Sequence, residues 1–296
     1  MRIGITGVTG LIGQALAPLC KAHGHDVTGF SRTPHSSLPH CDHVRQFILE
    51  KPVNLSGLDA VIHLAGEPVI GLWTAEKRRR IVASRRETTR HLVASLSQLP
   101  KKPGVFLCAS GTGFYGHRGA ETLVETSGSG SGFLSEVAQV WEDEAFMANA
   151  LGIRTCALRT GLVLSNGGGG FSLLRRVFGL GLGGKIGSGE QYLPWIHIAD
   201  MAALYLHAVE NEQLSGPVNA VAPEECTNAA FTRALGSALH RPTIFGVPAF
   251  AISMALGDLS RIVLDSQRVQ PAKALESGFA FRFPTLSEAF SDLRST

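Results

Sequence analysis

The sequence predicts an α/β fold with a doubly wound parallel sheet and a smaller C-terminal substrate lobe. Short apolar runs alternate with helix-compatible segments through the first half of the chain, which is typical of parallel strands joined by crossover helices. The chain also opens on a β-branched run followed by Gly7-x-x-Gly10-x-x-Gly13 and a helix-compatible segment. Its 296 residues, 44% of them hydrophobic, are enough to bury a large core. Together these features indicate a Rossmann-like sheet.

The glycine triplet predicts a dinucleotide site at the first strand–helix junction. The first glycine permits the tight turn, the second lets the backbone approach a pyrophosphate, and the third lets the helix pack close to the strand. The helix N-terminus adds free N–H groups and a positive dipole end. An ordinary structural turn is the alternative. The predicted cofactor-binding residues of this turn are Gly7, Thr9, Gly10, Leu11, Ile12 and Gly13.

The end of the second predicted strand, at residues 25–30, favours NADP(H) over NAD(H). An NAD-specific site usually carries an acidic residue here, whereas this chain has Ser31 and Arg32. A guanidinium pairs with a 2′-phosphate, which a carboxylate would repel. The alternative is that Arg32 is a solvated loop cation.

Further strands and helices continue the alternation. Strands are predicted at 58–66, 104–110 and 154–159, and helices at 76–99 and 133–151. The carboxyl ends of parallel strands meet at one edge of the sheet, and such sheets bind ligands there. Residues predicted at that edge are Gly7, Ser31, Ala65, Ser110 and Arg159.

The predicted domains divide the chain near residue 165. Residues 1–165 form the NADP-binding domain, with sheet-completing segments to about 220. Residues 166–296 form the substrate lobe, which includes a small C-terminal domain at about 245–293. Glycine-rich stretches at 167–170 and 179–184 suit either a lid beside the cofactor or tight connections, and 279–283 has a strand-like pattern.

Composition limits the partners that the sequence supports. The net charge is +3, and the cations at 77–80 lack the interleaved aromatic residues or zinc-ligand spacing of a nucleic-acid-binding module. No metal site is predicted. Five scattered cysteines suggest reduced thiols and a cytoplasmic location. The apolar stretch 247–264 is interrupted by Gly257, Asp258 and Arg261, which favours an amphipathic helix without membrane insertion.

Several motifs resemble a known family. The segments 6–13, 63–66 and Tyr115-Gly116 resemble the extended short-chain dehydrogenase/reductases. Further segments resemble one atypical branch of the NAD(P)-dependent epimerase family, and the end of the chain resembles that branch's C-terminal domain of unknown function. These segments are 31–34, 63–67, 84–89, 159–164, 181–191 and 194–200, followed by 247–248, 267–271 and 278–279.

The resemblance implies roles for individual residues around NADP(H). Ser31 and Arg32 would hold the 2′-phosphate. The backbone of Leu64, Ala65 and Gly66 would line the cofactor. The adenosine-phosphate end would lie near Arg85 and Arg80, and Arg159 would reach the cofactor from its strand end. Structural alternatives are core packing for Leu64 and Ala65 and a solvated face for Arg80 and Arg85.

The catalytic assignment departs from the superfamily pattern. Typical members use a Tyr-x-x-x-Lys pair, but the corresponding positions here carry Leu134 and Ala138 or, shifted by one, Phe133 and Val137. The remaining polar candidates are Ser110, Thr112 and Tyr115, which orient a carbonyl or donate a proton, with packing as the alternative role of Tyr115. Further candidates are Glu136, Glu142, His197 and Asp200, with Asp200 also suited to a helix cap or a positioning role.

Two functions follow from the sequence. The first is an NADP(H)-binding oxidoreductase or epimerase acting on a small polar, for instance sugar-like, substrate; the sugar rests on analogy of fold. The second is a non-catalytic NADPH-binding regulatory protein with a link to cell division, which the absent Tyr-x-x-x-Lys pair favours. A homodimer is common among the proteins that the chain resembles.

Overall fold

A computed structural model describes residues 1–33, 37–48 and 51–295, so that Pro34 of the predicted 2′-phosphate segment lies outside the described residues. Its strands are β1 Arg2–Thr6, β2 Asp26–Ser31, β3 His43–Gln46, β4 Ala60–His63, β5 Val105–Gly111, β6 Thr122–Leu123, β7 Arg154–Thr160, β8 Leu162–Leu164, β9 Trp195–His197, β10 Gly216–Ala220 and β11 Arg268–Val269. Its α-helices are α1 Leu11–Ala22, α2 Ala75–Ser97, α3 Phe133–Phe146, α4 Gly169–Gly179, α5 Ile198–Glu210, α6 Asn228–Ala238, α7 Ala249–Leu256, α8 Arg261–Leu264, α9 Ala272–Glu276 and α10 Leu286–Ser295.

Seven parallel strands form the main sheet, which confirms the predicted fold class. Their order is β10-β7-β5-β4-β1-β2-β3. The central strands are apolar runs without alternation because helices cover both faces of the sheet. Strand order reverses between β1 and β4, and ligands bind at such a switch point beyond the carboxyl ends of the strands.

A separate apolar core holds the C-terminal lobe together. It includes Phe171 of α4, Trp195 of β9, Phe231 of α6 and Phe290 of α10. Phe171 and Phe290 stack with their ring centroids 5.8 Å apart. This lobe faces the carboxyl edge of the sheet, and so it supplies the outer wall of the cavity described below.

Three sequence predictions about the elements were wrong in detail. The predicted helix at 133–151 changes to a 3₁₀ helix, Met147–Leu151, after α3. Residues 279–283 form no strand, because backbone N–H groups there donate to Asp200 and not to a neighbouring strand. The predicted helix at 247–264 is broken at Gly257, whose φ of 56° ends α7.

The edge strand β3 of the main sheet had no sequence signal. β3 is a four-residue edge strand with a polar, partly exposed sequence, so apolar periodicity does not reveal it. No helix in the described part of the chain is long and apolar enough to cross a membrane.

Candidate functional site

The glycine turn between β1 and α1 leaves no space for side chains. Gly7 has φ of 69°, and a Cβ there would come within 2.9 Å of the Ala65 backbone nitrogen. A Cβ on Gly13 would lie 2.5 Å from the Gly7 carbonyl oxygen. Real Cβ atoms do not make contacts this close. The turn therefore requires glycine for its conformation at Gly7 and for helix–strand contact at Gly13.

The N-terminus of α1 is open to a ligand. Gly10 is the N-cap residue and provides no side-chain cap, and the first turn of the helix contains no acidic residue. The first N–H groups of any helix lack intrahelical acceptors. Leu11, the first residue of α1, also lines the large cavity. The helix end and the cavity therefore adjoin.

The end of β2 lies beside a cluster of cations. Arg32 is exposed, and its charge contributes to the electrostatic environment of Glu67. Lys77 donates to the Glu67 carboxylate at 2.6 Å, and Arg80 Nε lies 3.7 Å from it. The Lys77 hydrogen bond, followed by the charges of Lys77, Arg80 and Arg32, lowers the pKa of Glu67 below its usual range. The cations outnumber this carboxylate, although Arg80 also pairs with Glu76 at 2.8 Å.

The residues that follow β4 contact the glycine turn. Leu64 and Ala65 present their backbone to Gly7. His63 is completely buried between Thr6, whose hydroxyl lies 2.7 Å from Nδ1, and Thr89, whose hydroxyl lies 3.1 Å from Nε2. Burial, with a smaller contribution from the charge of Arg85, lowers the pKa of His63 to about 3. The imidazole is therefore neutral and structural.

Arg85 is a buried cation in the wall of the cavity. Its side chain comes from α2, and its guanidinium lies 4.5 Å from the centroid of the Trp141 ring. It donates to the carbonyl oxygens of Glu67 at 3.0 Å and Ile81 at 3.2 Å. Burial lowers the pKa of Arg85 to about 10, so it remains charged at neutral pH. It forms no ion pair with any carboxylate of the described residues, so an anionic group of a ligand would find an available partner here.

A cavity of about 530 Å³ lies between the carboxyl edge of the sheet and the C-terminal lobe. Ser110, at the end of β5, and the adjoining Thr112 supply hydroxyl groups to its wall. Leu134 and Ala138 of α3, the positions matched to the usual Tyr and Lys, line the same cavity. The site that normally holds the tyrosine and the lysine is therefore apolar in this protein.

Ser110 is held by a buried ion pair behind the wall. Its hydroxyl donates to Glu142 Oε1 at 2.7 Å. Arg159 donates to the same carboxylate from Nε at 2.9 Å and from Nη2 at 2.8 Å. Glu142 and Arg159 are 4% and 3% exposed. Because the Ser110 proton points toward Glu142, the oxygen lone pairs remain available to accept from a ligand.

Tyr115 and Arg159 do not line the cavity, unlike Ser110 and Thr112. Tyr115 is fully buried, accepts from Arg159 Nη1 at 2.9 Å and donates to Asn219 Oδ1 at 2.7 Å. Burial raises the pKa of Tyr115. The Arg159 guanidinium lies 3.4 Å from the centroid of the Phe114 ring. These contacts hold both side chains in buried hydrogen bonds to other parts of the protein. The contact of Arg159 with the cofactor and the proton-donating role of Tyr115 stay predictions.

The other polar candidates also lie away from the cavity wall. Glu136 is exposed on α3. His197 accepts from the Ala199 backbone N–H at 3.2 Å and so caps α5. Asp200 accepts from the backbone N–H groups of residues 282 and 283 at 2.8 and 2.9 Å, which is the positioning role expected as one alternative.

Two contacts between distant segments, one at the cavity wall and one outside it, had no signal in the sequence. Trp141 supports Arg85 across the space between α3 and α2. Glu125, which is 5% exposed, accepts from the backbone N–H groups of Asn219 at 3.0 Å and Lys273 at 3.2 Å. Both contacts join distant parts of the chain, and the residue types alone do not predict them.

Comparison with known proteins identifies what this architecture is similar to. Residues 3–221 match the model of the NAD dependent epimerase/dehydratase family, and residues 247–293 match a domain of unknown function, DUF1731. The chain is 35% identical over 297 residues to epimerase family protein YfhF of Bacillus subtilis, covering 99% of this chain and 98% of that protein.

Solved structures give the same result. The crystal structure of human epimerase family protein SDR39U1 with NADPH superposes with a TM-score of 0.90 at 33% identity, covering 100% of both chains. UDP-N-acetylglucosamine 4-epimerase from Bacillus cereus superposes with a TM-score of 0.77 at 17% identity, covering 100% of this chain and 96% of that chain. The second likeness concerns the fold alone. The predicted resemblance to an extended short-chain dehydrogenase/reductase is confirmed.

Proposed function

Because the chain belongs to the NAD-dependent epimerase/dehydratase family, we propose that it is an NADP(H)-binding oxidoreductase or epimerase. Its substrate would be a small compound with a carbonyl or a hydroxyl group. The observation that carries this proposal is the continuity of the site. Leu11, at the N-terminus of the glycine-turn helix, lines the same cavity as Ser110 and Thr112.

The residues present fit a dinucleotide. Gly7 and Gly13 sit where any Cβ would collide with backbone, and α1 begins without a side-chain cap. The turn can therefore bring its N–H groups against a pyrophosphate. The backbone of Leu64, Ala65 and Gly66 adjoins the turn and Arg85. The NADPH in the human SDR39U1 structure supports the same assignment for this chain.

Selectivity for the 2′-phosphate is assigned to the end of β2. Ser31 contributes a hydroxyl and Arg32 an exposed guanidinium, and both are suited to phosphate oxygens. Lys77 and Arg80 add positive charge nearby, partly neutralised by Glu67. This arrangement favours NADP(H) over NAD(H).

When bound, the nicotinamide supplies or accepts a hydride. Ser110, oriented by Glu142, would accept a hydrogen bond from a substrate hydroxyl, and Thr112 would provide a second hydroxyl in the same wall. Leu134 and Ala138 provide no ionisable group. Proton exchange with the substrate would therefore pass through a hydroxyl or water and not through a tyrosine–lysine pair.

A second candidate function is a protein that binds NADPH without turnover. The specific observation in its favour is the apolar character of Leu134 and Ala138 in the cavity wall. Turnover distinguishes the two functions. Replacing Ser110 by alanine in an active protein should reduce kcat while leaving NADPH affinity unchanged, whereas a sensor would show no turnover in either form.

The cofactor assignment is tested by calorimetric titration with NADPH and NADH of the wild-type protein, Arg32→Ala and the control Arg79→Ala. Arg79 is an exposed cation of α2, so its variant has the same change in net charge. We expect Arg32→Ala to weaken NADPH binding about 10- to 100-fold, which corresponds to the loss of one charge-assisted hydrogen bond. The affinity for NADH should not change. An equal loss for both nucleotides would refute the role of Arg32.

A further inference from the structure

The walls of the cavity beyond the cofactor turn are mostly aliphatic and aromatic. α3 contributes Leu134 and Ala138, and the lobe contributes Leu193, Phe178 of α4 and Phe231 of α6. Leu256 and Val263, from the segment after residue 247, also line the cavity. Polar side chains, among them Gln191, Asn228 and Gln267, form a minority of the lining. Burying apolar ligand surface against walls that are mostly hydrocarbon is favourable, whereas a strongly polar ligand would replace only part of its hydrogen bonds to water there.

Few charges are available for a phosphorylated substrate. Among the described residues that line the cavity, the charged side chains are Arg85, Arg261 and Asp265. Arg85 lies on the cofactor side, against Glu67 and Trp141. Arg261 and Asp265 attract each other, so the carboxylate offsets the one cation near the lobe. A second diphosphate would be held by convergent cations or by free backbone N–H groups like those of the glycine turn, and the cations of this lining are only Arg85 and Arg261 among the described residues.

The mouth of the cavity is rimmed by exposed apolar side chains. Leu173 of α4 lines the cavity and is also 55% exposed. The segment after α4 and the segment before α7 are joined by hydrogen bonds from Val247 N to Lys185 O and from Gly187 N to Val247 O, both 2.8 Å. These two segments together expose Leu180, Leu182, Ile244 and Phe245. Apolar surface of this extent marks a binding region.

From these observations we propose that the substrate is an apolar alcohol or ketone, with its hydrocarbon part against Leu134 and the lobe. An alcohol would donate its hydroxyl proton to Ser110, whereas a ketone would accept a hydrogen bond from the Thr112 hydroxyl. This inference rests on the proposed function, since it names the substrate class of the same site. It replaces the small polar, sugar-like substrate expected from the sequence. The physical reason is that most of the lining is hydrocarbon, whereas a sugar nucleotide presents mainly polar and anionic surface.

The test uses binding, so it does not depend on catalysis. The probe is prodan, an aryl ketone whose emission shifts to the blue in apolar surroundings, titrated into the protein with and without NADPH. Linear 2-alkanones from four to ten carbons are then used to displace it, with UDP-glucose as the polar competitor. We expect affinity to rise up to about fourfold per added methylene, and UDP-glucose not to displace the probe.

Variants locate the binding site. Leu134→Asp and Leu256→Asp each place a charge in the cavity lining, from two different helices, and each should weaken prodan binding at least tenfold. Phe250→Asp is the control, because Phe250 is exposed on α7 outside the cavity lining. Two independent wall variants are used so that misfolding of one still leaves a readable result.

Each outcome decides the proposal. Affinity that does not depend on chain length, displacement by UDP-glucose in preference to 2-decanone, or loss of prodan only in Phe250→Asp would overturn it. Failure of NADPH to bind in calorimetry would instead refute the proposed function. The prodan titration of the free protein would still decide whether the cavity selects apolar ligands.

Discussion

Glu142 is a buried residue that both stabilises the fold, through its ion pair with Arg159, and orients Ser110 in the cavity wall. Its carboxylate receives two hydrogen bonds from Arg159 and one from Ser110, so its charge is compensated although solvent is excluded. Removing one charge of a buried pair leaves the other uncompensated, which typically costs about 3–5 kcal/mol. The same change deprives the Ser110 hydroxyl of its anionic acceptor.

Glu142→Gln should therefore lower the free energy of unfolding by about 3 kcal/mol. Urea unfolding at neutral pH measures this change. Glu136→Gln is the matched control, since Glu136 is exposed on the same helix, and it should lie within about 0.5 kcal/mol of wild type. Equal stability of the two variants would show that the Glu142–Arg159 pair does not stabilise the fold.

His63 predicts a pH dependence of stability. Its pKa is about 3 in the folded protein and 6.5 in the ordinary unfolded chain, so between these values the unfolded state binds more protons. The stabilisation that the neutral His63 contributes to the free energy of unfolding is therefore fully present above pH 6.5. It is lost as the pH falls toward 3. Between pH 7.5 and pH 5, the loss is about 2 kcal/mol.

Urea unfolding of wild type and His63→Gln at pH 7.5 and pH 5 isolates this contribution. The wild-type protein should lose about 2 kcal/mol more than His63→Gln on acidification. His43→Gln, at a histidine whose side chain is 60% exposed, controls for removal of a histidine as such. An identical pH dependence in wild type and His63→Gln would contradict a buried neutral imidazole.

At the scale of elements, the β1–α1 turn depends on close backbone contact. Gly13 allows α1 to pack against the turn, because a Cβ at this position would lie only 2.5 Å from the Gly7 carbonyl oxygen. Gly13→Ala should thus displace the N-terminus of α1. We expect it to lower the Tm by several degrees and to weaken NADPH binding at least tenfold. Thermal unfolding and calorimetry measure the two effects.

Gly104→Ala is the control for this substitution. Gly104 precedes β5, and the nearest atom to an added Cβ there is the Asp59 carbonyl oxygen at 3.9 Å. This variant should retain wild-type NADPH affinity. If Gly13→Ala also kept that affinity, close packing at the turn would not be required for cofactor binding.

The sequence predicted those elements that rest on local patterns. The glycine turn, the central strands and α2 were predictable because apolar runs, glycine spacing and helical periodicity all lie within single segments. The short polar strand β3 lacks such a pattern. The 279–283 segment does have a strand-like pattern, but Asp200 takes the backbone N–H groups that a strand would use.

At the scale of the whole molecule, the site depends on contacts between distant segments. Arg85 of α2 contacts Trp141 of α3 in the cavity wall. The apolar wall of the cavity likewise forms only when the lobe packs over the edge of the sheet. No single segment encodes these arrangements, which is why the glycine turn was predictable and the apolar wall of the cavity was not.

We propose that one NADP(H) site extends from the end of β2 across the glycine turn to the cavity at Ser110. Hydrogen–deuterium exchange with and without saturating NADPH measures which of these segments the cofactor protects. We expect slower amide exchange at residues 8–13, 31–33, 64–66 and 110–113 together, with α7 unchanged. Protection that is absent from the glycine turn and the cavity wall, with NADPH bound, would contradict it.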